Sequence, residues 1–163
     1  MNDALGVVER QGDYWSIRYV RHIDVSAQEL WDSLTQPERI ARWMQTESMS
    51  LEPNVGGAVH YYWGGSDRCD GIVTDFDPPR TLAYSWNEGA NTSSVRFDIV
   101  EREGGVELTL EHRTLTTDEI KGVGPGWHAH LDYLDAVLHH ANFEFSPRFE
   151  SLQPLYERVL QQS

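Results

Sequence analysis

A single cysteine, Cys69, stands in 163 residues, so neither an internal disulfide nor a cysteine-built zinc site is available to this chain. Basic residues are few: 13 Lys+Arg against 26 Asp+Glu leave a formal charge of −13. They are also scattered singly. A protein this acidic repels polyanions, which argues against nucleic acid and anionic membrane as partners. No apolar run approaches the roughly 20 residues needed to span a bilayer. The first residues, MNDALGVVERQGD, include early acids and no apolar core of a signal sequence, so the expected compartment is the cytoplasm. Also lacking are a GxSxG nucleophile elbow, a P-loop and an HExxH pair, and the glycine pairs Gly64-Gly65 and Gly104-Gly105 read as hairpin turns. Covalent or nucleotide-driven catalysis is therefore not expected, and no cofactor or metal is implied.

Large rings are abundant, with six tryptophans and seven tyrosines, and the apolar share of 39% suits one folded domain. Residues 14–25, YWSIRYVRHIDV, read as a strand. Ser26-Ala27-Gln28-Glu29 is a capping box, with Val25 and Leu30 as its hydrophobic staple, and predicts a short helix that carries Trp31 and Leu34 inward. Pro37 interrupts it, and a second short helix is expected over 37–43. Strands follow at 47–52, 57–63, 70–77, 80–87, 92–102 and 105–114, joined by short turns rich in Gly, Pro, Asn and Asp. Connections this short imply an antiparallel meander. In its last two strands Val95, Phe97 and Ile99 share one face, as do Val106, Leu108, Leu110 and His112.

Something must cover that face. Within 125–141, Trp127, Leu131, Leu134, Leu138 and Ala141 recur at helical spacing, with Pro125 near the start. One amphipathic helix is expected there. His128, Asp132, Asp135 and His139 fall on its opposite, solvent-facing side, where the two i,i+4 His–Asp pairs read as surface pairing in preference to metal chelation. The fold class is α+β: a curved antiparallel sheet wrapped around a long C-terminal helix, with two short helices after the first strand. The expected division is a tail at 1–13, the domain at 14–142 and a helical extension at 143–163. Leu152, Leu155, Tyr156, Val159 and Leu160 form a stripe on that extension which needs cover, in cis or through a homodimer.

The order of elements resembles the helix-grip fold of the START-like (Bet v 1-like, SRPBCC) superfamily. Within it the chain is similar to the activator of heat-shock protein 90 ATPase homologue family, C-terminal-domain type. The resemblance rests on Ile23-Asp24-Val25-Ser26 with Leu30-Trp31, Leu34-Thr35-Gln36-Pro37-Glu38 with Trp43, Gly71-Ile72-Val73 leading to Asp77-Pro78-Pro79-Arg80, and Tyr84-Ser85-Trp86. It continues through Val95-Arg96-Phe97, Leu108-Thr109-Leu110-Glu111-His112, and Gly126-Trp127 with Leu131 and Leu134. It implies a cavity between sheet and helix for an apolar or aromatic small molecule. It also implies two alternatives, a chaperone-ATPase-regulating interaction module and a cyclase- or hydratase-type enzyme.

Trp43, Trp63, Trp86 and Trp127 lie on elements that would border such a cavity, as pocket wall or as core. His112, on the parity of Leu108 and Leu110, and His130, on the inward helical face, are the candidate ligand-orienting or acid/base groups, or else satisfied core histidines. Arg21 shares the parity of Tyr19 and Ile23. It is either a buried cation in need of a partner or an arginine snorkelling to water.

Overall fold

In the computed structural model, which describes residues 3–163, the chain builds one antiparallel sheet of eight strands in the order β1-β2-β8-β7-β6-β5-β4-β3. The strands are β1 (Val7–Gln11), β2 (Tyr14–Ile23), β3 (Ser48–Leu51), β4 (Ala58–Gly64), β5 (Asp67–Asp77), β6 (Thr81–Asn87), β7 (Thr92–Arg102) and β8 (Gly105–Leu115). Helices α1 (Ala27–Thr35) and α2 (Pro37–Trp43) separate β2 from β3, and α3 (Thr117–Leu138) and α4 (Phe145–Gln161) close the chain. No helix among the described residues is long and apolar enough to cross a membrane.

The alternation of β7 and β8 is visible in burial. Val95, Phe97, Ile99, Val106, Leu108 and Leu110 are all buried, and so is His112. Register pairs Val95 with His112 and Phe97 with Leu110, so the apolar side chains form one continuous face for α3 to cover. Ser26 caps α1 by accepting the amide N–H of Glu29 at 3.1 Å, and Pro37 opens α2, where its missing N–H costs nothing.

Three differences from the sequence reading bear on function. First, residues 7–11 are not a tail. They turn at Gly12, which has a φ of 63°, and pair with β2 from Val7↔Arg18 to Gln11↔Tyr14. This edge strand is almost wholly exposed and so carries no alternation to read.

Second, α3 begins not at Pro125 but at a full capping box. Thr116 Oγ1 accepts the N–H of Glu119, and the Glu119 carboxylate accepts the N–H of Thr116 at 2.8 Å. Gly122, Gly124, Pro125 and Gly126 look like breakers but lie inside the helix. Pro125 offers no N–H to the preceding turn. Nearby, the Gly124 carbonyl instead accepts the Tyr19 hydroxyl at 2.6 Å. A Cβ at Gly124 would lie 2.9 Å from the Tyr156 ring, so this glycine lets α4 approach α3.

Third, the face of α3 expected to meet solvent is covered. His128 is 0% and Asp132 4% exposed, because α4 packs over them; Leu138, expected in the core, is only partly buried. Asp135 remains half-exposed and pairs with His139 at 3.2 Å. Arg148 of α4 donates to Asp132 at 2.7 Å and lies 3.3 Å from His128 Nε2. Arginine only donates, so that nitrogen accepts and His128 carries its proton on Nδ1, 2.8 Å from the Tyr156 hydroxyl. The same hydroxyl accepts the Gly6 N–H, which ties the start of the chain to its last helix.

Arg21 is 5% exposed and lies over the Tyr19 ring at 5.7 Å. Its Nε and Nη2 have no hydrogen-bond partner among the described residues, and burial lowers its pKa while Asp132 opposes that fall. It is thus a buried cation on the α3–α4 side of the molecule, and not a snorkelling side chain.

Candidate functional site

Between α3 and the sheet lies a cavity of about 520 Å³. Its walls come from elements distant in sequence. Trp63 projects from β4, Trp86 from β6, Ser93 from β7, His112 and Leu115 from β8, and Val123, Trp127 and His130 from α3. Trp86 and Ser93 face each other across β6 and β7, and β8 brings His112 alongside. The rings form one connected cluster. Trp86 meets Trp127 at 5.4 Å, Trp63 at 6.2 Å and His112 at 5.7 Å between centroids, and Tyr61 stacks on Trp63 from behind at 5.5 Å.

Each indole N–H of this wall is committed within the protein. Trp63 donates to the Met44 carbonyl at 3.0 Å, Trp86 to the Glu88 carboxylate at 3.1 Å, and Trp127 to His112 Nδ1 at 2.9 Å. These bonds fix the rings, so the cavity wall is preorganised. Trp43 is not on that wall. It packs behind it, 6.5 Å from Trp127 and His130, and its N–H is held by the Ser33 carbonyl.

The two candidate histidines differ in what they have left to offer. Indole is a donor only, so His112 Nδ1 must accept and its proton sits on Nε2. That N–H reaches Ser93 Oγ at 2.7 Å, and the serine hydroxyl donates on to the Trp86 carbonyl at 3.2 Å. Both ring nitrogens are used. Burial pulls the pKa of His112 down to about 3, which keeps it neutral. His130 donates from Nδ1 to the Trp43 carbonyl at 2.9 Å, leaving Nε2 as a lone-pair acceptor. Burial lowers its pKa to about 4, and the Trp43 carbonyl only partly offsets that. Its ring packs on Phe145 at 4.5 Å, so the approach to α4 also shapes this end of the site.

Carboxylates ring the remaining wall. Asp67, Glu88 and Asp118 are exposed or half-exposed and Glu119 is at the helix start; all four line the cavity. The sequence reading attended to rings and histidines and missed them. The Thr116–Glu119 capping box was the signal available, because it places Asp118 and Glu119 on the first turn of the covering helix. No group of three or more His, Cys, Asp or Glu residues among those described is arranged to hold a metal ion.

A curved antiparallel sheet gripping a long helix, with the cavity between them, defines a START-like helix-grip protein. The chain belongs to the family described as Activator of Hsp90 ATPase homolog 1-like protein, whose model matches residues 24–139. Among solved structures it is similar to CalU16 from Micromonospora echinospora, at 25% identity and a TM-score of 0.80 over 98% of this chain and 99% of that one. It is also similar to MLL2253 from Mesorhizobium loti, at 26% identity and a TM-score of 0.70 over 78% of this chain and 99% of that one. EF2215 from Enterococcus faecalis shares the fold at 17% identity, with a TM-score of 0.82 over 96% of this chain and 91% of that one. No curated protein matches the chain.

Proposed function

We propose that this protein binds a small apolar or aromatic molecule in the cavity between the sheet and α3, with Trp63, Trp86 and Trp127 as the contact surface, Ser93 and His130 as its polar groups, and His112 holding Trp127 and Ser93 in place. The observation that carries this reading is the commitment of all three indole N–H groups to internal acceptors. A wall of fixed rings around about 520 Å³ suits recognition of an apolar body at little ordering cost. The volume lies within the usual range of small-molecule pockets, roughly 300–1,000 Å³. The test is native mass spectrometry of freshly purified protein, followed by thermal denaturation with an apolar ligand library. A co-purifying small molecule, or a melting temperature that rises with ligand concentration, supports the proposal. Failure of the whole library, together with a measurable effect on a purified chaperone ATPase, would replace it with an interaction module.

A second reading, acid–base catalysis on the same fold, is favoured by one feature: the free Nε2 of His130 beside the cavity. In that reading His130 is the base, and His112, with no nitrogen to spare, is a positioning residue for Trp127 and Ser93.

A further inference from the structure

The side chains around the cavity have an uneven balance of hydrogen-bonding roles. The three indoles have already used their only donors. His112 gives its N–H to Ser93, Ser93 gives its hydroxyl proton to the Trp86 carbonyl, and His130 gives its N–H to the Trp43 carbonyl. Among the described residues no Lys, Arg, Asn, Gln, Thr or Tyr side chain lines the space. Acceptor capacity is plentiful. It comes from His130 Nε2, the remaining lone pair of Ser93 Oγ, the carboxylates of Asp67, Glu88 and Glu119, and that of Asp118, which also pairs with Lys121 at 3.4 Å.

Two of those carboxylates are already oriented. Glu88 is held by the Trp86 N–H, and Glu119 by the Thr116 N–H and by Asn91 at 2.9 Å. The rings supply the other half of the recognition. Around the wall, Trp63 lies 6.2 Å from Trp86, and Trp86 lies 5.4 Å from Trp127, between centroids. An indole face attracts a cation within about 6 Å.

A ligand that brings an acceptor or a negative charge would find no side-chain donor and would meet carboxylates. One that brings N–H donors and a positive charge would find both acceptors and ring faces. We propose that the molecule bound here is an organic cation: an apolar or aromatic body carrying a protonated amine, the body against the tryptophans and the ammonium toward Glu88, Glu119 and His130 Nε2. The inference rests on the small-molecule reading of the cavity and specifies its ligand class. The net charge of −13 acts in the same direction over longer range, concentrating cations near the surface.

The experiment compares three probes of one shape by calorimetry on the full chain: naphthylmethylammonium, neutral naphthylmethanol and anionic naphthoate. The ammonium is expected to bind about tenfold tighter than the alcohol, with the carboxylate weakest. In a Glu88→Gln, Glu119→Gln double variant the ammonium-to-alcohol ratio should fall severalfold. Neither side chain is buried, and the amide oxygens introduced can still accept the Trp86 and Thr116 N–H groups, so folding is preserved. Alcohol or carboxylate binding as tightly as the ammonium overturns the cation inference and leaves the small-molecule reading standing. An ammonium preference unchanged in the double variant overturns the role given to these carboxylates. No binding of any probe at about millimolar concentration, where even weak sites fill, sinks both readings.

Discussion

The indole N–H of Trp127 donates to Nδ1 of His112 at 2.9 Å, and this one bond decides what the buried histidine does. It fixes the tautomer, directs the remaining proton to Ser93, and leaves the imidazole without a free nitrogen. His112 therefore orders the aromatic wall and has no lone pair with which to take a proton from a ligand.

Replacing His112 should be felt first in stability. His112→Ala leaves the buried Trp127 N–H without its acceptor and opens a void. Each unsatisfied buried group costs about 1–3 kcal/mol, so a loss of about 2–5 kcal/mol is expected in urea denaturation. A double-mutant cycle with Trp127→Phe should return a coupling of about 0.5–3 kcal/mol. Additive losses would mean the bond is not formed in solution.

His130→Asn separates binding from structure. Asparagine retains a donor near the position of Nδ1 for the Trp43 carbonyl and removes the Nε2 acceptor. Stability should fall by only about 1 kcal/mol, while affinity for an amine-bearing probe drops. If a reaction is found, the same variant should cost it about 100-fold, and a change within about threefold would end the acid–base reading.

The histidines also set a pH dependence. Both have folded pKa values, about 3 for His112 and about 4 for His130, below the ordinary 6.5. Between those limits the unfolded chain binds more protons than the folded one, so stability rises with pH through this window. Above pH 6.5 both states are neutral at these sites and the contribution is flat. As pH falls from about 7 to about 5 the two together should cost about 2–4 kcal/mol. Denaturation midpoints measured across that range check this, and in the His130→Asn variant the slope should be shallower.

The Asp132–Arg148 pair holds α4 onto α3. Asp132 is almost fully buried and also faces the charge of Arg21. Asp132→Ala would remove the carboxylate that opposes the desolvation of Arg21 and the 2.7 Å partner of Arg148, which would keep only its pairing with the exposed Asp3 among the carboxylates named here, at an expected cost of about 3–5 kcal/mol. Hydrogen exchange should show α4 amides losing protection before those of β7 and β8.

Much of this molecule is local and was legible in the chain. The meander is written in period-two alternation and in turn residues such as Gly104-Gly105, which depend on neighbours within a few positions. The start of α1 is written in Ser26 and Glu29. The equivalent Thr116–Glu119 signal was just as explicit, but Gly122, Gly124, Pro125 and Gly126 obscured it, because local propensity cannot anticipate the tertiary packing that holds α3 together. Trp63, Trp86 and Trp127, named for the elements they lie on once the resemblance implied a cavity, and His112 and His130, named from strand parity and helical spacing, all border the cavity. The same reasoning put Trp43 there too, yet it lies one layer behind, since facing inward does not say which inward surface is empty.

What the sequence by itself determined is therefore the strand pattern, the short helices, the family pattern and the apolar stripe of α3. Tertiary structure alone decided how many sides of that helix are covered. Periodicity reports that one face is apolar; it does not report that α4 returns to bury His128 and Asp132, or that Arg148 arrives to satisfy them. The Gly6–Tyr156 bond, spanning 150 residues, and the Trp127–His112 bond belong to the same class. Hydrogen-bond partners that fix tautomers and occupy donors are brought together only by the closed chain, and those partners give the cavity its chemistry.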